Sequence, residues 1–195
     1  LNPVITATSL AMDMPDDTGV TPTKAVAFCF SQLVGATAAG LLNFGLYKNV
    51  IRSQEQAAKS VAERGAVWAG AFGVGHDAKV LSPRGLFLTE LASTAVLLFC
   101  INCINDEDHL DIPSKAAGPV LVGGTVSLLI IATGTAGGCG MNPARDIGPR
   151  LVTAAASGPS VALGPSPAWI YSAGPLAGAF AGCAAFKAFK GLLDS

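Results

Sequence analysis

The residues best placed to do chemistry in this chain lie together in Gly140-Met141-Asn142-Pro143-Ala144-Arg145-Asp146-Ile147-Gly148-Pro149-Arg150, directly after the glycine-rich backbone Gly134–Gly140. Their chemistry is hydrogen bonding and fixed charge. Asn142 is a good N-cap and Pro143 suits the first helical position, so a helix starts here. Asp146 falls in its first turn, where a carboxylate suits the positive end of the helix dipole. Arg150 is four residues on and can pair with Asp146 on one face. A second Asn-Pro pair, Asn2-Pro3, opens the chain, and a lone carboxylate, Glu90, interrupts an otherwise uncharged run from Gly85 to Asn105. An ionisable group in such a run is a candidate for function. His76 and His109 have no partner ligands at useful spacing, so no metal is expected. Cys100 and Cys103 have redox spacing but read as small packing residues in an apolar run.

The elements that must position these groups follow from hydropathy. No charge interrupts Ala116 to Ala144, and that run exceeds the ~20 residues of one membrane crossing. The chain therefore crosses, breaks at the glycines, and restarts at Asn142. Irregular backbone at membrane depth is tolerated only where it lines a cavity or is buried in protein. The composition agrees: of 195 residues 51% are hydrophobic and 13% charged, against about 25% charged in a soluble domain. A net charge of −1 gives no reason to expect nucleic acid. Five cysteines, most of them inside apolar runs, argue against a secreted disulfide framework.

In order, the sequence predicts a single transmembrane domain over 1–195. It holds a half-helix over 1–14, a span over 25–47, a loop over 49–84 with a short helix at Gln54–Arg64, and a span over 85–105. After the acidic connection Asp106–Pro113 come a span over 117–135, a half-helix over 142–156 and a last span over 169–186, with Trp169 and Tyr171 as interfacial anchors. Gly35, Ala36, Ala39 and Gly40 in the first span, and Gly174, Gly178 and Gly182 in the last, are stripes that let helices approach closely. The units match: Asn2-Pro3 precedes Gly35-Ala36 as Asn142-Pro143 precedes Gly178-Ala179. An odd number of spans separates the two Asn-Pro pairs, so the half-helices enter from opposite faces. That is an inverted-topology repeat, with a site expected near the midplane where half-helix N-termini meet.

The long motif ending in Arg150 resembles the second Asn-Pro-Ala signature of the aquaporin family, and the Asp after Arg145 resembles its glycerol-conducting branch, the aquaglyceroporins. Leu1-Asn2-Pro3-Val4 resembles the first signature, with Val4 where Ala is usual. The resemblance implies an all-α, aquaporin-like inverted-repeat bundle with two re-entrant half-helices. Six spans are usual, so it also implies that the chain is incomplete at its N-terminus and lacks the first two. It implies a passive channel in the lipid bilayer for water, glycerol or similar small neutral solutes, not an enzyme, without cofactor, in a homotetramer. Asn2, Pro3, Val4, Asn142, Pro143 and Ala144 form the paired motifs, and the asparagines donate to the permeant. Ile130, Cys139 and Arg145 form the selectivity filter, with Cys139 exposed to the permeant. The carbonyls of Gly138, Cys139 and Gly140 form an acceptor track. Glu90 accepts hydrogen bonds from the pore loop, and Asp146 and Arg150 support the motif.

Solute choice stays open at this level. Asp146 and Arg150 favour glycerol, whereas Cys139 and Tyr171 are more typical of water channels. A secondary transporter with broken helices shares the inverted repeat but needs a coupling carboxylate, for which Glu90 is the only candidate. A non-conducting member of the same fold is the other alternative. Lys48, Arg52, Lys59, Arg64, Lys79 and Arg84 of the long loop outnumber Lys24, Lys115, Lys187 and Lys190 of the opposite face. The positive-inside rule would then place that loop in the cytoplasm, whereas the resemblance places it outside. The resemblance is preferred, because charges upstream of this chain would decide the orientation.

Overall fold

The computed structural model describes residues 2–12, 19–72, 74–75, 79–106, 116–137, 139–164 and 167–195, with the side chains of 135 and 136 excepted. Helices form in the order α1 (Pro3–Met12), α2 (Pro22–Ala57), α3 (Val61–Phe72), α4 (Pro83–Asn105), α5 (Ala117–Gly137), α6 (Pro143–Ser157), α7 (Pro159–Leu163) and α8 (Ile170–Leu193). Four of them, α2, α4, α5 and α8, are long and apolar enough to cross a membrane. Among the described residues no strand occurs.

Local chemistry sets the helix starts. Thr21 caps α2 by accepting from Lys24 N, Ser82 caps α4 by accepting from Gly85 N, and Asn142 caps α6. Each is followed by a proline, whose missing N–H would be unpaired there in any case. The ends are less local. The expected span 25–47 is the middle of a much longer helix, and the expected loop 49–84 is largely helical, as the end of α2 and the whole of α3. The physical reason is that charge ends a hydrocarbon span without ending a helix: Arg52, Gln54, Glu55, Gln56 and Ala57 are all good helix formers.

Packing follows the small residues. α8 lies closely on α4, and a Cβ added at Gly178 or Gly182 would come within 2.2 Å of the carbonyl oxygens of Leu91 or Ala95. α6 also crosses α2 closely, since a Cβ at Gly148 would meet Ala36 at 2.7 Å. The outer faces are apolar: Val26 and Phe30 on α2, and Val120, Leu128 and Ile131 on α5, are each at least two-thirds exposed. Water penalises such surface and lipid does not.

The outer ends of the half-helices are held crosswise. Arg52, at the end of α2, donates to the Ala156 carbonyl at the end of α6 (2.8 Å). Lys187, on α8, donates to the Met12 carbonyl at the end of α1. A cation at a helix C-terminus satisfies an orphan carbonyl and complements the dipole.

Candidate functional site

The two half-helix N-termini meet. Asn142 has extended backbone, and its side-chain oxygen accepts from Ala144 N (3.0 Å) and Arg145 N (3.3 Å). Asn2 repeats the arrangement, accepting from Val4 N (3.2 Å). Turning each amide oxygen onto its own helix leaves the NH2 group facing away from it. For Asn2 one N–H goes to the Met141 carbonyl (2.8 Å), the residue next to Asn142. Pro3 and Pro143 are the first residues of α1 and α6, and Val4 and Ala144 behind them are buried.

Glu90 is completely buried on α4 and accepts from two successive backbone amides, Gly140 N (2.7 Å) and Met141 N (2.8 Å). The residues around them are strained: Cys139 and Met141 have φ of 42° and 49° without being glycine, which costs about 1–3 kcal/mol each. Two charge-assisted hydrogen bonds are of the size needed to offset that cost. From α8, Tyr171 adds a bond from its hydroxyl to the Gly137 carbonyl (3.2 Å). Tyr171 is thus fully buried instead of anchoring at the interface, where only Trp169 is exposed; the Gly137 carbonyl and the nearby Arg150 guanidinium give its ring and hydroxyl partners inside.

Arg145 leaves the first turn of α6 and donates from Nη1 to the Cys139 carbonyl (3.4 Å). Asp146, beside it, accepts on both oxygens from Arg150 Nε (2.8 Å each). Arg150 also donates to the Ala162 carbonyl at the end of α7 (2.6 Å). The Asp146–Arg150 pair therefore fixes α6 against the following loop and fixes the turn from which Arg145 projects.

Of the expected filter residues, Arg145 and Cys139 are joined by that hydrogen bond, and Gly134 lies between Cys139 and Ile130. A Cβ at Gly134 would come within 3.4 Å of Ile130 Cγ2 and 4.0 Å of Cys139 Cβ. Ile130 itself is 43% exposed on α5. The expectation that the Cys139 thiol faces a permeant is corrected: the side chain is 1% exposed and packs with Val4, Leu97 and Met141. The left-handed backbone at Cys139 delivers its carbonyl to Arg145 and its thiol to the core. Gly138 and its carbonyl lie outside the described residues, as do His76 and His109.

A cavity of about 430 Å³ opens beside this turn, and Asn142, Ala144 and Arg145 form its α6 wall. The α2 wall includes Gln32 and Asn43, and Phe72 enters from α3. Gln32 Nε2 donates to Thr6 Oγ1 (3.2 Å), and its Oε1 is buried without a partner among the described residues. Sequence reasoning did not assign these groups to the site. An amide inside an uncharged span is a signal of the same kind as Glu90 and was available for Gln32; Phe72 closes the patch Ala69-Gly-Ala-Phe72, which reads in sequence as part of the loop over 49–84. Among the described residues no three His, Cys, Asp or Glu side chains gather as a metal site.

The profile of the family described as major intrinsic protein matches residues 1–186. Rat (Rattus norvegicus) aquaporin-9 is 38% identical over 55% of this chain and 37% of its own length. The propanediol uptake facilitator of Salmonella typhimurium is 31% identical over 86% of this chain and 65% of its own length. The glycerol uptake facilitator of Escherichia coli K12 is 30% identical over 86% of this chain and 61% of its own length. The chain thus spans between about a third and two thirds of the curated relatives it matches.

Proposed function

This chain belongs to the major intrinsic protein family, an integral multi-pass membrane protein, and on that premise we propose that it is a passive channel for water and small neutral polyols such as glycerol. The observation that carries the reading is the junction of the two half-helix N-termini at Asn2, Met141 and Asn142. Two positive dipole ends brought together favour oxygen lone pairs and repel cations and protons. The asparagine NH2 groups supply donors. The Cys139 and Gly140 carbonyls supply acceptors, so a dehydrated solute finds both halves of its hydrogen bonding. Arg145 adds a planar, permanently charged fork beside them, with Ile130 as the apolar neighbour on α5. Glu90, Asp146 and Arg150 hold this backbone and touch no solute.

The names of the relatives support the solute class: they are an aquaporin, a glycerol facilitator and a propanediol facilitator. Water, glycerol and propanediol share hydroxyl groups, small size and neutrality. A homotetramer completes the proposal, with the apolar outer faces of α2 and α5 divided between lipid and neighbouring copies.

Stopped-flow light scattering of liposomes carrying the full chain tests the reading. The expected result is rapid water efflux and non-saturating glycerol uptake above protein-free liposomes. Saturable uptake would make it a transporter, and no flux above the control would make it a non-conducting member of the fold.

A further inference from the structure

We propose that Arg52, near the end of α2, is a positioning residue for Arg145: by holding the C-terminal end of α6 it sets where the Arg145 guanidinium stands, and so how well the pathway excludes ions; this rests on the channel reading above. Arg52 Nη2 donates to the Ala156 carbonyl (2.8 Å) and Nη1 to Ser157 Oγ (2.9 Å), on the last two residues of α6. Nη1 also donates to Glu55 Oε2 (2.7 Å). The guanidinium carbon lies 5.5 Å from the ring centroids of both Phe44 and Trp68. Trp68 is itself buried against Phe44, Ile51 and Val161. Glu55 Oε1 accepts from Arg64 (3.1 Å), which clamps α3 to α2 at the same cluster. A planar fork with three acceptors and two ring neighbours has little freedom, and an ammonium group could not hold the same set.

Arg145 lies about 17 Å from Ala156 along the helix, at ~1.5 Å per residue, so α6 must carry the restraint. Its weak point is Pro149, which has no N–H to give to the helix ladder. Asp146 and Arg150 pair across that turn through two bonds of 2.8 Å, so the two halves of α6 move together. Against α2 the helix packs through small surfaces: a Cβ at Gly40 would meet Pro149 Cα and Val152 Cγ2 at 3.2 Å each. Such contacts fix how near the two helices come. The directional bonds from Arg52 fix where α6 stops along its axis. The seat of Arg145 has little slack. Its bond to the Cys139 carbonyl is 3.4 Å long, and a displacement of about 0.5 Å away from that oxygen would break it.

The test is a double-mutant cycle on proton leak, read with a pH-sensitive dye inside liposomes carrying the full chain as wild type, Arg52→Ala, Arg145→Ala and the double variant. Arg52→Ala should raise the leak about threefold, half on a logarithmic scale of the ~tenfold that loss of the Arg145 charge would give. In the Arg145→Ala background the same change should add nothing, because a residue that acts through Arg145 has nothing left to position. Arg52→Lys keeps the charge beside Glu55 and gives up the fork. It should leak like Arg52→Ala, and it keeps the test valid if the alanine variant fails to fold, water flux per reconstituted protein being the folding control. An unchanged leak in Arg52 variants that pass water overturns the positioning role. So does a rise of equal size with and without Arg145, which is general loosening, and so does an Arg145→Ala protein that leaks no more than the wild type. Loss of water flux in both Arg52 variants would make Arg52 a folding residue and overturn the role as well. Each of these leaves the channel reading standing. A wild type that passes no water overturns the channel reading, and this proposal with it.

Discussion

The side-chain amide of Asn2 donates to the carbonyl of Met141 over 2.8 Å, joining residues 139 apart in the chain. The bond runs from the cap of one half-helix to the residue before the cap of the other. The cap of α1 thereby rests on the backbone that leads into α6, so the first motif does not have its geometry alone. The crosswise contacts of Arg52 with Ala156 and of Lys187 with Met12 apply the same exchange at the outer ends. Two short helices that would be marginal in isolation are held at both ends by other elements.

Replacing Glu90 separates its acceptor role from its volume. Glu90→Ala leaves the amides of Gly140 and Met141 buried without partners, at about 1–3 kcal/mol each. Glu90→Gln retains one acceptor oxygen but sets an NH2 group against the other amide, so it should cost less than alanine and more than zero. Thermal unfolding in detergent should order the three proteins as wild type, Gln, Ala, with water permeability falling in the same order. Equal stability of wild type and Glu90→Ala would mean that the carboxylate does not hold the turn.

Arg145 combines a fixed charge with a hydrogen bond to the Cys139 carbonyl. A full charge at about 4 Å is worth several kcal/mol even at an effective dielectric constant of 20. Arg145→Ala should therefore raise proton or cation leak by about tenfold or more, read with a pH-sensitive dye inside liposomes. Arg145→Lys keeps the charge and loses the planar fork, so it should exclude ions but shift solute preference. Tight ion exclusion in Arg145→Ala would place the barrier at the helix dipoles alone.

What was legible in the sequence was local. Asn142-Pro143 with Asp146 and Arg150 specifies a cap, a first turn and an i,i+4 pair within nine residues, and the structure has each of them. Glu90 was legible because a carboxylate in an uncharged run needs partners, although its two amides had to come from another element. The length of α2 was not legible, because charge marks the edge of hydrocarbon and helix formers continue past it. Phe72 was legible only as part of the loop over 49–84, because its neighbours around the cavity, Asn43 and Arg145, are supplied by α2 and α6. The orientation of Cys139 was hidden by its positive φ, which residue type alone does not announce for a cysteine.

That orientation reverses an expectation about mercurials. The thiol is 1% exposed among Val4, Leu97 and Met141, and reactivity requires an accessible thiolate. Cys139→Ser should leave the mercurial sensitivity of water flux as it is in the wild type. Cys139→Phe should overpack this core and lower stability by about 1–3 kcal/mol. Fast inhibition abolished by Cys139→Ser would show that the thiol turns into the pathway in the conducting protein.

The clamp on α3 is titratable. Glu55 is buried between Arg52 (2.7 Å) and Arg64 (3.1 Å). Burial pushes its pKa up, but hydrogen bonds from Ser157, Arg52, Trp68 and Arg64 outweigh this and hold it at about 2, below the ordinary 4.5. A lowered pKa in the folded state means that the clamp is fully formed above pH 4.5 and is lost as pH falls from 4.5 towards 2. Both arginines are about a third exposed, so solvent screens part of the effect. The buried Trp68 on α3 reports it directly once Trp169 is replaced by Phe: its emission should move to longer wavelength in acid, in lipid nanodiscs, with the transition inside that window. Glu55→Gln should remove the pH dependence and show the shifted emission already at pH 7. Emission that stays constant from pH 7 to pH 2 in the otherwise unaltered protein would mean that the apolar contacts of Trp68 with Phe44, Ile51 and Val161 hold α3 without the ion pairs.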